Sequence, residues 1–309
     1  MNDSHQCVGR GDPARLVRSS SNMHQCAGSD APDVPSASAA PPADLIQISY
    51  SDLGAYHQCA RRYTFEKRLR MGTLPDLKTT AVKRGTLMHT LLEGARDGRL
   101  DGRQAAALFA REQLTDLRDQ EALLQAIRRV LDSRDYAEIL AGCDIRCERQ
   151  FYLALHDPAR PVPGPAGPGP ANAPAPSPAP ARFLKGYIDI QSTRAQDGSL
   201  LILDYKSGTR AQACAADYED QARCYALVGL ADGHPSVEVR FIRPEVTGTD
   251  GAPQVFALGP YTRADYASIE AALIAAIHDM EQAGPDAPIA ADAFACRDCP
   301  VPHSACPRA

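Results

Sequence analysis

The run FLKGYIDIQ at 183–191, the run LLILDYKSG at 200–208 and the segment DQARCYAL at 220–227 decide how this chain is read. The first two are apolar, bounded by turn residues, and predict strands over 183–192 and 200–206, with a turn around Asp197 and Gly198. Asp189 lies inside the first run. Asp204 and Lys206 end the second, two residues apart and so on one face of a strand. Two carboxylates and an ammonium brought together by neighbouring strands can hold a hard divalent cation beside a phosphate.

Working outward, residues 213–230 read as a helix that places Gln221 and Tyr225 four apart, on one face. Both can donate to phosphate oxygens, and the Tyr ring can stack on a base. Standing alone, the pair would read as a half-buried Tyr beside a surface Gln. A strand is expected at 236–245, a short one at 254–258, and a helix from Thr262 to about Glu281 with Tyr266, Ile269, Leu273, Ile277 and Met280 inward.

Upstream, ISYSDLGAYHQCARRYTFEKRLRM (48–71) reads as a helix with Ser51 and Asp52 as N-cap candidates. A second helix over 80–96 sets His89 among Val82, Leu87, Leu91 and Leu92, where a lone His reads first as a core residue. One long amphipathic helix is expected over 103–132, then a strand over 143–155 carrying Glu148. Residues 1–43, rich in Ser, Ala, Pro and Gly, read as a disordered tail ahead of one domain over 44–309. The proline-rich stretch 157–182 reads as an extended, solvated insertion between two paired strands, without chemistry of its own.

Net charge is −5, so nucleic-acid binding would need a local basic surface. From Arg61 to Arg84 eight Lys and Arg residues stand against two acids, with Arg61, Arg62 and Arg84 among them. That segment is either a solvated helix face or a surface that tracks phosphates. No apolar run approaches the roughly 20 residues of a membrane span, and no signal-peptide core is seen, so a cytoplasmic protein is expected. Of ten cysteines, Cys296, Cys299 and Cys306 cluster near the C-terminus. With Cys59 as the fourth ligand, four thiolates favour an iron–sulfur cluster. With His303, the local spacing C-x2-C-x3-H-x2-C makes a zinc knuckle, and spacing alone does not choose.

GYIDI, LDYKSG and Q-x-x-x-Y, in this order, resemble the core of the PD-(D/E)XK nuclease superfamily. The pattern is most similar to its RecB-like branch, which includes the AddB nuclease domain and the CRISPR-associated iron–sulfur exonucleases. AYHQCARRY around Cys59, Gly85 to His89 as G-x-x-x-H, and the terminal cysteine trio extend the likeness over residues 48–306. The resemblance implies an α/β, restriction-endonuclease-like core with a mixed central sheet flanked by helices. It implies that His89, Asp189, Asp204 and the Tyr205 carbonyl bind Mg²⁺ or Mn²⁺, that Lys206 acts on the attacking water, and that Gln221 and Tyr225 touch DNA. Glu148 matches an acidic position in some relatives. Cys59, Cys296, Cys299 and Cys306 would hold a 4Fe–4S cluster joining the two ends of the domain. Closing so long a loop would stabilise the fold by about 5 kcal/mol. The expected activity is a metal-dependent DNA nuclease, an exonuclease in repair, recombination or defence, with a helicase or other recombination or defence proteins as partners. A non-catalytic DNA-binding scaffold on the same fold is the alternative.

Overall fold

The computed structural model describes residues 46–70, 80–157, 182–208, 213–248, 250–287, and residues 299, 301 and 306. The expected tail over 1–43 and nearly all of the expected insertion lie outside these residues, as do Cys296 and His303. The elements in order are β1 (Ile46–Ser49), α1 (Tyr50–Gln58), α2 (Ala60–Tyr63) running into a π-turn at Thr64–Arg68, and α3 (Thr80–Gly94). Then come α4 (Gly102–Arg111), α5 (Leu117–Leu131), α6 (Arg134–Ala141), β2 (Cys143–Ala154), β3 (Arg182–Thr193) and β4 (Leu200–Tyr205). A 3₁₀ turn at Ala215–Tyr218 leads into α7 (Glu219–Ala231), β5 (Ser236–Thr247), β6 (Pro253–Thr262) and α8 (Arg263–Gln282).

The six strands form one mixed sheet in the order β1-β3-β4-β5-β6, with β2 also paired to β3. β2 runs antiparallel along the whole of β3, from Ala154 opposite Phe183 to Cys143 opposite Thr193. The other edge of β3 is therefore shared. Parallel β1 takes Arg182–Lys185, and antiparallel β4 takes Ile190–Thr193. Between them, residues 186–189 face a fork in the sheet. β4 then pairs with β5 in parallel, and β5 with β6 antiparallel.

The two faces are covered by separate cores. Leu184, Ile188, Leu200, Ile202 and Val239 pack under α1, α7 and α8. Leu201, Leu203, Tyr205 and Ile190 pack under α3 to α6. The alternation along Leu200–Tyr205 is that of a strand buried on both faces, which is why the run contains no polar residue before Asp204. In β3 the phase inverts. Ile188 and Ile190, two apart, enter different cores, which a regular strand forbids. Opposite this point Glu148 has a left-handed backbone, φ 47°, rare for a residue with a side chain. The inversion falls at Asp189.

Helix boundaries differ from expectation where side chains compete for backbone groups. The N-cap of α1 is Ser49, not Ser51 or Asp52: Ser49 and Asp52 cap each other's backbone N–H in a capping box. The helix expected over 103–132 is two helices, because Gln113 turns left-handed at φ 57° and Asp116 caps the N–H groups of Arg118 and Asp119. The short α6, capped by Ser133, escapes a periodicity search tuned to longer runs. The strand expected at 254–258 extends to ten residues as β6.

Polar networks hold the edges. Arg194 and Arg240 bridge Glu138 of α6 and Glu238 of β5 at 2.6–2.8 Å. Burial alone would raise both glutamate pKa values, but hydrogen bonds from the two arginines outweigh it and hold them below the usual range. A depressed folded pKa stabilises above the unfolded value, about 4.3 for Glu, and that stabilisation is lost as pH falls through the folded value. The urea midpoint is therefore expected to drop between about pH 5 and about pH 3, and less steeply in the Glu138→Gln/Glu238→Gln double variant. Equal slopes for the two proteins would dismiss the network as a source of acid lability.

Candidate active site

Four elements meet at the fork. Asp189 comes from the phase inversion in β3, and Asp204 and Lys206 from the end of β4. His89 comes from α3, and Gln221 and Tyr225 from α7. Asp189 would face Asp204 one rung beyond the last paired residues, Ile190 and Leu203. Its carboxylate takes the place of that rung, with Oδ2 accepting the Tyr205 N–H at 2.7 Å. Oδ1 lies 3.3 Å from His89 Nδ1.

His89 reaches this point because Gly85, one turn earlier, lets α3 approach the end of β4. A Cβ at Gly85 would stand 2.7 Å from Ser207 Oγ. The G-x-x-x-H spacing thus has a steric reason. The His89 ring lies edge-on to the buried Tyr205 ring, with centroids 6.0 Å apart. Burial disfavours its charged form, but the hydrogen bond and charge of Asp189 dominate and raise its pKa.

Glu148 completes the group. Ligand atoms of His89, Glu148 and Asp189 all lie within 4.8 Å of one another. Burial, and after it the charge of Asp189, raises the Glu148 pKa, as expected where carboxylates crowd. Its left-handed backbone, a costly conformation, turns its carboxylate toward the group.

Asp204, 3% exposed, is held from below. Its Oδ2 accepts from Gln221 Nε2 at 2.8 Å and meets the Tyr225 hydroxyl at 2.7 Å. That hydroxyl accepts from Gln221 and also reaches the Tyr187 carbonyl at 2.7 Å, on the open edge of β3. Lys206 Nζ sits 2.5 Å from Asp204 Oδ1 and 2.7 Å from Gln221 Oε1. The rings of Tyr50, Tyr218 and Phe241 surround it at 5.3–6.0 Å. Burial works against the ammonium, yet the Asp204 carboxylate keeps it charged, raising its pKa. Sequence reasoning missed this aromatic cage, whose members lie far apart in the chain. The cleft above these groups has a volume of about 680 Å³.

The donor set fits a hard divalent cation. It offers carboxylate oxygens and one imidazole, with no thiolate, in a cluster richer in acids than in bases. Asp204 Oδ1, though buried and close to Lys206, accepts no hydrogen bond of proper geometry, which leaves it a lone pair for an ion.

The other expected site residues lie outside the cluster formed by His89, Glu148 and Asp189. Gln221 and Tyr225, at 5% and 1% exposure, lie beneath Asp204 and spend their polar groups on it and on each other. They sit on the buried part of their helix, whose more exposed side chains, Glu219, Asp220 and Arg223, belong to its first turns. The expected basic surface is largely spent on the protein itself. Arg61 donates to the Ala287 carbonyl, Arg62 pairs with Glu66, and Arg84 with Glu245 and Asp119. Cys59 and Cys306 are buried and Cys299 half-buried, and none of the three is in a disulfide. Among the described residues, no group of three ligands within reach of one ion includes a cysteine.

The sequence model of the PD-(D/E)XK nuclease superfamily matches residues 47–307, from β1 to the cysteine tail. The chain belongs to that superfamily. No curated protein matches it. Among solved structures, it is similar to SSO0001 at 12% identity over 82% of each chain, with a TM-score of 0.39. It is also similar to a candidate exonuclease from Eubacterium rectale at 10% identity over 78% of this chain and 83% of that one, TM-score 0.46.

Tyr225→Phe removes the hydroxyl shared by Gln221, Asp204 and the Tyr187 carbonyl. It is expected to lower unfolding stability by about 1–3 kcal/mol in urea melts, because buried partners are left unsatisfied. A loss under about 0.5 kcal/mol would mean the hydroxyl supports neither strand edge nor carboxylate.

Proposed function

We propose that this protein is a Mg²⁺- or Mn²⁺-dependent deoxyribonuclease that hydrolyses phosphodiester bonds from strand ends, as an exonuclease in repair, recombination or defence. The observation that carries this reading is the convergence of His89, Glu148 and Asp189 beside the Asp204–Lys206 pair, inside one open cleft. His89, Glu148 and Asp189 would hold the ion, with Asp204 and the Tyr205 carbonyl next to it. A bound ion there supplies neutralisation of phosphoryl charge and a more acidic water.

The chain's own groups do the rest. Asp189, fixed by the Tyr205 N–H, cannot rotate away from His89. The Lys206 ammonium, held by the three rings, presents a fixed positive charge to a phosphate and a donor to the attacking water. Gln221 and Tyr225 act through Asp204, fixing the oxygens that face the ion. Any unwinding would come from a partner such as a helicase.

Membership of the RecB-like branch is supported by the cysteine pattern. We propose that Cys59, Cys296, Cys299 and Cys306 bind a structural 4Fe–4S cluster, with zinc at Cys296, Cys299, His303 and Cys306 as the alternative. Cys306 and Val301 pack with Phe65, in the turn that follows Cys59, and Cys299 packs beside them. Arg68 in the same turn donates to the Glu281 and Ala283 carbonyls, bringing the end of α8 alongside.

Incubated with end-labelled linear DNA, the protein is expected to cleave in Mg²⁺ or Mn²⁺ and not in EDTA. Lys206→Ala should lower the rate roughly 100-fold or more while DNA binding persists. Cleavage by Lys206→Ala at the wild-type rate would remove the mechanism, and binding without cleavage by the wild type would favour the scaffold alternative. Anaerobically purified protein should be brown, with broad absorbance that Cys59→Ala abolishes. Colourless protein carrying stoichiometric zinc unaffected by Cys59→Ala would rule out the cluster.

A further inference from the structure

Among the described residues only two Tyr or Phe side chains are exposed, Tyr152 at 57% and Tyr187 at 54%. Both lie on the same side of the β2–β3 ribbon. Gln150 faces Tyr187 and Tyr152 faces Lys185 across the ladder, which makes the two tyrosines diagonal cross-strand neighbours, roughly 7–8 Å apart. The reverse side of this ribbon is core, with Phe151, Leu184 and Ile188 packed under α1 and α7.

Four observations set this pair apart from incidental surface tyrosines. Both line the cleft that holds Asp189, Asp204 and Lys206. Tyr187 is two residues from Asp189 on the same strand, roughly 7 Å away. Both rings sit on anchored supports: Gln150 Nε2 donates to the Tyr152 hydroxyl at 2.6 Å, and the Tyr187 carbonyl is held by Tyr225. Lys185 stands beside them, with its Nζ bonded only to Gln47 Oε1 at 3.2 Å in an exposed position.

Exposed rings on an anchored ribbon, with a cation beside them, have the composition of a sequence-tolerant stacking platform. Paired bases are already stacked and offer such rings no open face, whereas unpaired bases do. We propose that Tyr152 and Tyr187 stack successive unpaired nucleotides and lead a single DNA strand into the cleft. The preferred substrate is then a single strand or a frayed end. This inference rests on the nuclease reading for its substrate, but its test does not depend on cleavage.

The test is binding in EDTA of a short single-stranded DNA carrying 2-aminopurine, set against the blunt duplex of the same sequence. Tyr152→Ala and Tyr187→Ala should each weaken single-strand binding roughly 5- to 150-fold and remove the quenching of 2-aminopurine. Duplex affinity should not change, and Tyr→Phe at either position should retain single-strand binding. Circular dichroism and melting of the alanine variants should match the wild type, since both side chains are exposed. Single-strand affinity unchanged in both alanine variants, or equal losses for single strand and duplex, would overturn the platform. If the platform behaves as expected while the wild type shows no metal-dependent cleavage, the nuclease reading falls and the platform stands.

Discussion

The N–H of Tyr205 has lost its strand partner, and a carboxylate has replaced it. Where β3 and β4 part, the next rung is not a backbone bond but Asp189 Oδ2 accepting from Tyr205. That single hydrogen bond satisfies a buried donor that would otherwise be costly to leave bare. It also fixes a catalytic-type carboxylate at the mouth of the fork. The inverted phase of β3, the strained backbone of Glu148 and the approach of α3 through Gly85 all converge on this point. The sheet is irregular where the chemistry gathers.

Charge in the site is managed by pairing rather than by solvent. Asp204 is buried to 3% exposure, a position tolerable only because Gln221, Tyr225 and Lys206 surround it. Lys206 in turn is shielded by three rings, which strengthen its attraction to anions by excluding water. A cation and a phosphate entering together would replace internal contacts by equivalent external ones, so little reorganisation would be needed.

Much of this was legible in the chain. The strands holding Asp189 and Asp204 announce themselves by apolar runs, and the i, i+2 spacing of Asp204 and Lys206 sets their common face. The spacing of Gln221 and Tyr225 also gave a shared face, but not its direction. Nothing local says that this face of α7 is buried, so a pair suited to touching phosphate supports a carboxylate instead. The arginines of 61–84 meet a similar limit. Apart from Glu66, four residues from Arg62, their partners, Glu245, Asp119 and the carbonyls of Glu281 and Ala287, lie far along the chain. The split between α4 and α5 turned on one left-handed glutamine that no periodicity marks. Glu148, weakly indicated by its strand, owes its place to the matching irregularity opposite Asp189.

The ends of β2 and β3 meet at a single rung, Ala154 opposite Phe183. Just beyond it, buried Arg182 grips Asp157 and makes a two-pronged contact with Glu281, while His278 holds the same aspartate at 2.8 Å. A chain that departs and returns through so firm a clasp transmits little strain to the sheet, whatever its length or content. A second folded module spliced there would hang from the body like a pendant on a closed ring, free to capture a chosen sequence or surface while the cleft keeps its shape.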